Sequence, residues 1–502
     1  MKAILVNGTI WGLSPNRAKI IFAILFTLFF LCVILSVVMC MKIQKDYFIG
    51  NRAFYKKTAM VTLPIIVQNI ITNVVSLLDN VMVGRVGTIE MSSVAIINQL
   101  LFVVNLCFFG GLAGPGIFAT QYAGANDNEG LRRCFRTKII IVLGILLCSF
   151  LTLGLFSEQL INLYIAENTS AADRANTLSF AAEYLRIMLI GLVPFAVSQI
   201  YSSSLREVGE TRLPMYASTS AIFINLIVNY LLIFGKCGFP RLGVAGAAIA
   251  TTLSRFTEMG IVVFFSHRRK SEFPFLSKVY RTLLVPLALW KKILKKGIPL
   301  LMNELLWSMG AASYLGCYSV RGLSVVAAAN IASTVNNIFN VTMISLGVSI
   351  SIMVGQHLGA NENEKAKKTV WRLITLSVSL CFVLSTVLWL LSGIIPEIYN
   401  TSDYVKALAS EFMVAIALTL PFAAIAHASY FTLRSGGKTL ITFLFDSAFM
   451  WVIGVPLAFV LAKYTTLGVG LVYFCVLALD IIKAIIGALL IKNGSWVNNI
   501  VK

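Results

Sequence analysis

The stretch Gln121-Tyr-Ala-Gly-Ala-Asn-Asp-Asn-Glu129 recurs 235 residues later as Gln356-His-Leu-Gly-Ala-Asn-Glu-Asn-Glu364. A second stretch, Leu205-Arg-Glu-Val-Gly-Glu-Thr211, recurs after 228 residues as Leu433-Arg-Ser-Gly-Gly-Lys-Thr439. The remaining matches are Pro64 with Pro299, Gly87 with Gly322, and Leu242-Gly-Val244 with Leu467-Gly-Val469. Because all the matches keep their order along the chain, we interpret the sequence as a duplicated unit.

The composition places this duplicated chain in a membrane. Of the 502 residues, 58% are hydrophobic and 12% are charged, whereas soluble domains carry about 25% charged residues. A water-soluble protein of this length could not cover so much apolar surface with so few polar groups. The abundance of Leu, Ile, Val and Phe also excludes disordered chains and disulfide scaffolds. We therefore predict an all-α polytopic membrane protein.

The hydrophobic residues form thirteen stretches, each long enough for a helix of about 20 residues to cross a bilayer. The first, at 20–41, is too long for the apolar core of a signal peptide, although translation could also start at Met39 or Met41. The other twelve are 57–83, 92–118, 139–157, 180–205, 213–234, 243–266, 293–319, 325–355, 370–392, 408–433, 439–461 and 467–491. This predicts one extra N-terminal transmembrane helix followed by two six-helix repeats.

Basic residues are concentrated in alternate loops. The net charge is +20, and most of the 41 Lys and Arg lie in one set of loops, including 119–138, 267–292, 356–369 and 434–438. An excess of Lys and Arg marks the cytoplasmic side of a membrane protein. We therefore expect these loops and the C-terminus in the cytoplasm, and we assign the charge to topology rather than to a nucleic-acid partner.

Six is an even number, so both repeats enter the membrane from the same side and are parallel repeats. Two such bundles with a cleft between them would allow alternating access. The predicted organisation is an N-terminal extension with the extra helix at 1–51, an N-terminal bundle at 52–266, a cytoplasmic linker at 267–292, and a C-terminal bundle with its tail at 293–502.

Ionisable residues inside a membrane span are costly and therefore candidates for function. Asp79 lies 15 residues after Pro64, close to the outer end of its span, and Asn225 and Asn229 are spaced i,i+4 on one helix face. Together with the hydroxyl of Thr251 they would form an all-oxygen cage for a hard cation such as Na⁺. Alternatively, Asp79 is an interfacial helix-end residue and the asparagines hold helices together.

A second group of polar residues lies in the C-terminal repeat. Glu304 follows Pro299 by five residues, and burial there would make its carboxyl group protonatable near neutral pH. We assign Asn303, Glu304 and His427 to a coupling or substrate site. His427 has a side chain that titrates in the physiological range, although it could simply be hydrogen-bonded inside the bundle.

Two charge pairs occupy matching positions in the repeats. Arg255 and Glu258 are spaced i,i+3, and so are Asp480 and Lys483, with the charges reversed. We expect structural ion pairs, formed either within each pair or between the halves.

The motifs that mark ATP-driven transport and hydrolysis are missing from the sequence. It contains no Gly-x4-Gly-Lys-[Ser/Thr] loop, no HExxH and no Cys/His cluster with metal-ligand spacing. We therefore expect neither an enzyme nor a cofactor beyond a coupling ion.

The stretch Leu63–Gly87, which contains Leu78-Asp79-Asn-Val-Met-Val-Gly84, resembles the first helix of the multidrug and toxic compound extrusion (MATE) family, NorM- or DinF-like, within the MOP flippase superfamily. Asn225–Asn229 and Leu242–Thr251 resemble its fifth and sixth helices, and Pro299-Leu-Leu-Met-Asn-Glu304 resembles its seventh. The resemblance covers 52–498. It implies twelve helices in a V-shaped pair of bundles and cation-driven export of organic, often cationic, drugs.

The resemblance also implies site residues. It points to Asp79, Asn225, Asn229 and Thr251 as a cation site in the N-terminal half. Family members sometimes carry Asp at the second Asn position, so Asn229 leaves Na⁺ and H⁺ both open as coupling ions. One branch pairs the carboxylate at Glu304 with an Asp on the tenth helix. That Asp is missing here, so we expect no two-carboxylate site in the C-terminal half.

These patterns predict a secondary antiporter for drug-like compounds, monomeric among the lipids of a bacterial cytoplasmic membrane. The first alternative is a lipid-linked oligosaccharide flippase of the same superfamily, which would need further basic residues along the cleft. The sequence suggests only Arg255 and Lys483 inside the spans. The second alternative, a receptor or scaffold, gives no reason for the duplication.

Overall fold

The structure is a computed structural model, and it describes residues 47–165 and 170–502. The extra span predicted at 20–41 lies outside these residues. The fold is carried by the compact unit Asn51–Lys502. Its long helices are α1 Arg52–Gly84, α2 Thr88–Gly124, α3 Asn128–Leu155, α4 Ala171–Glu207, α5 Arg212–Phe234, α6 Gly243–Arg268, α7 Leu287–Ser319, α8 Leu323–Gly359, α9 Asn363–Leu391, α10 Asp403–Ser435, α11 Thr439–Tyr464 and α12 Val469–Lys492.

Eleven of these helices are long and apolar enough to cross a membrane, by length and composition, among the described residues. The remaining long helix is α7, which carries Asn303 and Glu304 in its interior and four lysines in its first turns. Short helices lie between the long ones, at Ser157–Asn162, Pro274–Leu276, Val279–Arg281 and Ile395–Ile398. No strand occurs between residues 47 and 165 or between 170 and 502. The chain is an all-α polytopic membrane protein.

The helices are longer than the predicted spans, and the loops are correspondingly shorter. The basic segment predicted as the loop 119–138 is helical except for residues 125–127. Asp127 caps α3, where its Oδ1 accepts hydrogen bonds from two backbone N–H groups, at 3.0 and 2.9 Å. Asn126 adopts the left-handed conformation, with φ 56°, and Asn361 does the same in the second repeat, with φ 59°. Because Asn tolerates this conformation better than most residues, the duplicated motif encodes the same tight turn twice.

The turns 125–127 and 360–362, the connection 269–286 between α6 and α7, and the C-terminus all lie at one end of the bundle, which we call the linker end. The connection is shorter than the predicted linker 267–292, because α6 and α7 extend into it. The opposite end is called the far end. We call α1–α6 the N-terminal half and α7–α12 the C-terminal half. The two halves pack along α2, which contacts α7 and α8, and along α1, which contacts α8.

Glycines allow the closest approach between the halves at the linker end. A Cβ on Gly124 would lie 1.9 Å from the carbonyl oxygen of Gln356, and a Cβ on Gly359 would lie 1.8 Å from that of Gln121. These four residues are two pairs of repeat equivalents. The side chains of both glutamines also reach across: Gln356 Nε2 donates to the Glu207 carbonyl at 3.0 Å, and Gln121 Nε2 donates to the Ser435 carbonyl at 3.0 Å. The linker end is therefore closed by a nearly symmetric set of contacts.

The C-terminal tail adds to this closure. The Trp496 side chain is buried, with 1% of its surface exposed. Beyond it, the backbone N–H of Ile500 donates to Gln121 Oε1 at 2.8 Å, and Asn499 Nδ2 donates to the Gly359 carbonyl at 3.3 Å. The tail therefore joins the C-terminal half to α2 of the N-terminal half.

Candidate functional site

The four residues predicted to form a cation site lie together near the far end of the N-terminal half. Asp79 comes from α1, Asn225 and Asn229 from α5, and Thr251 from α6. Asn229 Nδ2 donates to Asp79 Oδ1 at 2.6 Å and to Asn225 Oδ1 at 3.1 Å. Asn225 Nδ2 donates to Thr251 Oγ1 at 3.3 Å. The i,i+4 spacing of the asparagines places both amides on the face of α5 that meets α1 and α6.

The Asn225 amide can face Asp79 with either end. Turned by a half-turn from the orientation above, its Nδ2 donates to the two carboxylate oxygens of Asp79 at 3.0 and 3.3 Å, and its Oδ1 accepts from Thr251 Oγ1 at 3.3 Å. This second orientation suits a bare carboxylate, because a carboxylate only accepts hydrogen bonds whereas a hydroxyl can donate one. The first would suit a cation bound beside Asp79, because it directs an amide oxygen towards the carboxylate.

A further oxygen in this cluster has no partner. Asn229 Oδ1 is buried and accepts no hydrogen bond, and the Asn229 side chain is only 1% exposed. A buried acceptor without a donor is destabilising by about 1–3 kcal/mol. Turned towards Asp79, this oxygen would join those of Asp79, Asn225 and Thr251 in a set of oxygen ligands of the kind that Na⁺ binds. The residues present therefore fit a small hard cation or a proton.

The C-terminal half contains no equivalent of this cluster. The positions that correspond by the repeat offsets hold Tyr314, Ile453, Leu457 and Val476. Three of these side chains have no oxygen, and a phenol replaces the carboxylate. The duplicated scaffold therefore carries this oxygen cage once.

In the C-terminal half, a hydrogen-bonded chain joins α7, α10 and α11. The Tyr430 hydroxyl donates to Glu304 Oε1 at 3.2 Å. Asn303 Nδ2 lies 3.3 Å from the same hydroxyl and 3.1 Å from Asp446 Oδ2. Two π-helical segments, Leu444–Ala448 and Met450–Gly454, lie next to each other where α11 carries Asp446. π-turns of this kind are rare and are frequent at functional sites.

Asp446 changes two predictions. The C-terminal half was expected to have no second carboxylate near Glu304, because α10 lacks an Asp; the structure supplies one from α11. Lys483 was expected to pair with Asp480 or across the halves, but its Nζ instead donates to Asp446 Oδ1 at 2.7 Å. The reason is geometric, since Lys483 on α12 faces α11.

The expected Arg255–Glu258 pair is likewise replaced by other contacts. Arg255 lies over the Phe195 ring, 4.9 Å from its centroid, and Glu258 accepts a short hydrogen bond from Ser218. Among the ion pairs of the described chain, none joins Arg255 to Glu258. Since Ser218 also accepts from Gln68 Nε2 at 2.7 Å, Glu258 belongs to a network with α1 and α5.

This network and that of Asp446 occupy equivalent positions in the two halves. Gln68, Ser218 and Glu258 correspond by the repeat offsets to Asn303, Asp446 and Lys483. In each half, a side-chain amide on the first helix donates a hydrogen bond to a side chain on the fifth helix. That side chain also forms a hydrogen bond with a side chain on the sixth helix. The duplication therefore extends from sequence motifs to a conserved pattern of polar contacts, with different charges in each half.

His427 lies apart from Glu304. No hydrogen bond or ion pair joins the two residues in the described structure, although His427 lies within electrostatic range of Asp446, Asp480 and Lys483. Its place in a C-terminal coupling site thus depends on these three residues rather than on Glu304.

Sequence reasoning assigned no role to Tyr430, to Asp446, although it is an ionisable residue inside a span, or to the pair formed by Lys138 and Glu207. Lys138 was counted among the basic loop residues, but its ammonium is fully buried and donates to Glu207 Oε2 at 2.7 Å. This pair could be predicted only once it is known that α3 begins before Lys138. Tyr430 carries no signal in the sequence, because a tyrosine in an apolar span usually serves packing.

We predict that Lys138→Met lowers the thermal stability of the purified protein strongly, because it leaves Glu207 buried without its cation. Removing one partner of a buried pair costs about 3–5 kcal/mol. The double variant Lys138→Met/Glu207→Met should recover most of the loss, measured as the melting temperature in detergent. A double variant no more stable than the single one would contradict this account.

We also predict that Asp446→Asn destabilises the protein more than Asp480→Asn. Both changes remove a carboxylate near Lys483, but only Asp446 forms the ion pair. Melting temperatures of the two variants provide the measurement, and each serves as the control for the other. Equal losses would show that Lys483 is shared between the two carboxylates.

The helices and polar clusters define a polytopic membrane transporter built from two equivalent halves. The MatE family model matches the chain twice, at residues 64–231 and 299–460, once in each half. These matches cover most of the chain, and the protein belongs to the MatE family.

Individual relatives support the same assignment. The "Probable multidrug resistance protein NorM" of Thermotoga maritima is 26% identical over 446 residues, which is 88% of this chain and 93% of that protein. The Vibrio cholerae MATE transporter VcmN in the bent form has a TM-score of 0.78 and 18% identity, covering 90% of this chain and 98% of that one. An outward-facing multidrug resistance MATE family transporter has a TM-score of 0.77 and 18% identity, covering 88% and 95%. The solved structures support the fold.

Proposed function

We propose that this chain is a secondary multidrug efflux antiporter that exports organic, often cationic, compounds in exchange for Na⁺ or H⁺. Family membership and the relatives named as multidrug resistance proteins support export of small molecules rather than catalysis. The observation that carries the coupling is the cluster around Asp79, in which Asn225, Asn229 and Thr251 lie together with the carboxylate and Asn229 Oδ1 is buried without a donor.

The cage suggests how its own residues respond to ion binding. With an ion or proton at Asp79, the Asn225 carbonyl faces the carboxylate and the cage holds α1, α5 and α6 together. After release, rotation of the Asn225 amide would satisfy the carboxylate with an N–H donor. The two orientations make different contacts between α1 and α5, so the ion has differential affinity for two arrangements of the N-terminal half, as any coupling requires.

In the C-terminal half, we propose that Glu304 and Asn303 form the secondary coupling or substrate site; the Tyr430 hydroxyl joins the two residues, and Asn303 also donates to Asp446. We include His427 in this site because it lies within electrostatic range of Asp446 and Lys483. We also propose the division into 52–266, 267–292 and 293–502; one family match within each of the two bundles supports it. We further propose that the protein is a monomer in the bacterial cytoplasmic membrane, with the linker end and the C-terminus in the cytoplasm.

The test is drug accumulation in inside-out vesicles, measured with ethidium under an imposed Na⁺ gradient and, separately, a proton gradient. We expect accumulation under one gradient and collapse when that gradient is dissipated. Accumulation that depends on ATP, or no transport under either gradient, would reject the proposal. Comparing the two gradients identifies the coupling ion.

A further inference from the structure

A small cavity with an apolar lining and a few polar groups lies between the two halves towards the linker end. It has a volume of about 120 Å³ and is lined by α2 and α4 of one half and by α8 and α10 of the other. This is room for a few water molecules, enough for a carboxylate or phosphate group but too little for a whole drug molecule.

Two arginines face this cavity, one from each half. Arg206 from α4 and Arg434 from α10 are both lining residues, and they are the second residues of the two repeated Leu-Arg-x-x-Gly-x-Thr stretches. Both had been counted in predicted loops or at their edges, which is why the sequence suggested few cations along the cleft. The structure places them in the last turns of their helices.

Each arginine has a buried donor without a partner. Arg206 Nε and Arg434 Nη1 are both shielded from solvent and make no hydrogen bond. Ser351, also a lining residue, has a buried hydroxyl without a partner. Because an arginine side chain remains charged and offers donors only, such unused donors indicate an acceptor that is anionic or strongly polar.

Within the residues that the structure describes, neither arginine forms a direct ion pair with a neighbouring carboxylate, although Glu258 acts on Arg206 and Glu304 acts on Arg434 at longer range. The one carboxylate that lines the cavity, Glu207, is already held by Lys138 through both of its oxygens, at 2.8 and 2.7 Å. Arg206 donates from Nη2 to the neutral Gln68 at 3.1 Å. In the described chain, neither Arg206 nor Arg434 lies within ion-pair distance of a carboxylate.

Apolar rings complete the surroundings of Arg434. Its guanidinium lies 5.6 Å from the ring centroids of both Phe109 and Phe431. Both phenylalanines also line the cavity. An anionic group between the arginines would therefore have apolar surface beside it for the remainder of an amphipathic molecule.

We propose that this cavity binds the anionic group, a carboxylate or a phosphate, of an amphipathic compound that the protein exports, with Arg206 and Arg434 as ligands from opposite halves. The inference rests on the proposed function and assigns the place where the anionic group of a zwitterionic or anionic compound binds. Since each half contributes one arginine, binding stabilises the arrangement closed at the linker end, and opening that end separates the two cations.

The first experiment uses a matched pair of ligands on the purified wild-type protein: a zwitterionic fluoroquinolone and its ethyl ester, which lacks the carboxylate. We expect the zwitterion to bind more tightly, and we expect its advantage to shrink as salt concentration rises. Equal affinity for the two compounds, or tighter binding of the ester, would overturn the proposal without any variant.

The second experiment compares Arg206→Gln and Arg434→Gln with Arg212→Gln. Arg212 is an exposed residue at the start of α5, so its variant loses the same charge outside the cavity. We expect each cavity variant to lose about tenfold or more in zwitterion affinity, as when a hydrogen bond to a charged group is removed, and to keep its affinity for the ester. Retained ester binding also shows that the variant is folded. An equal loss for both ligands would contradict the proposal.

The anionic group could belong to a soluble compound or to a phospholipid headgroup. Zwitterion binding is therefore repeated in nanodiscs of phosphatidylglycerol and of phosphatidylcholine. Competition by phosphatidylglycerol that disappears in the Arg206→Gln/Arg434→Gln variant would identify a lipid headgroup as occupant. Equal affinity in both nanodiscs, with the arginine dependence retained, would identify the soluble compound.

Vesicle transport separates this inference from the proposed function. If the ester is transported under an ion gradient while binding shows no preference for the zwitterion, the inference fails alone. If neither compound is transported although the zwitterion binds through the arginines, antiport fails and the anion site stands.

Discussion

Asp79→Asn is expected to reduce ion-driven drug accumulation in vesicles to background. The substitution replaces the one carboxylate of the oxygen cage with a neutral amide of the same size. Without that charge, the remaining Asn225, Asn229 and Thr251 offer only neutral ligands, and no titratable group is left in the cage. The variant should still bind ethidium, because the substitution is confined to the ion cage and changes no other part of the bundle.

The matched control is Asp403→Asn, which makes the same change at an exposed first-turn position of α10. It should transport at the wild-type rate. Counterflow of ethidium without any ion gradient, measured in both variants, separates loss of coupling from loss of transport. If Asp79→Asn still followed an imposed ion gradient at the normal rate, the cage would not be the coupling site.

The second large effect is expected from Gly124→Ala and Gly359→Ala. Each added Cβ would fall within 2 Å of a backbone carbonyl oxygen of the opposite half, at Gln356 and Gln121 respectively. A backbone atom cannot move aside as a side-chain end can. The linker end must therefore separate, and the equilibrium should move towards an arrangement open at that end.

The measurement is the distance between spin labels at Ala125→Cys and Ala360→Cys, in the two turns of the linker end, with the native cysteines replaced. We expect a longer mean distance in either glycine variant and slower transport, since one of the two arrangements has become unfavourable. Gly144→Ala on α3 is the control, because its Cβ would meet nothing within 4 Å. An unchanged distance with normal transport would show that the contact is not closed in the working protein.

Much of the architecture was predictable because it depends on linear patterns. The lengths of the hydrophobic stretches predicted the helices, and the repeated motifs that begin at Gln121 and Gln356 indicated the duplication. The Asp79 cage could be predicted from the sequence for a similar reason. The i,i+4 spacing of Asn225 and Asn229 fixes one face of one helix, and the family resemblance then pointed to Asp79 and Thr251 on neighbouring helices.

The remaining polar contacts depend on information that a linear pattern does not contain. Lys483 pairs with Asp446 rather than with Asp480, which is closer in sequence, because the rotation of α12 about its own axis directs Lys483 towards α11. Arg206 and Lys138 were assigned to loops because charge was taken to mark helix ends, whereas α4 includes Arg206 and α3 begins at Asn128, before Lys138. Burial at these positions is a property of the packed bundle.

The single oxygen cage has an electrical consequence. One carboxylate balances one monovalent ion, and the equivalent positions in the other half hold Tyr314, Ile453, Leu457 and Val476. Exchange of one such ion for a monovalent organic cation moves no net charge, so voltage alone should not drive it. Exchange for a zwitterion carries one positive charge inward, and each 100 mV of membrane potential would add about 2.3 kcal/mol of driving force. Currents recorded from the same liposomes should therefore differ between the two kinds of cargo.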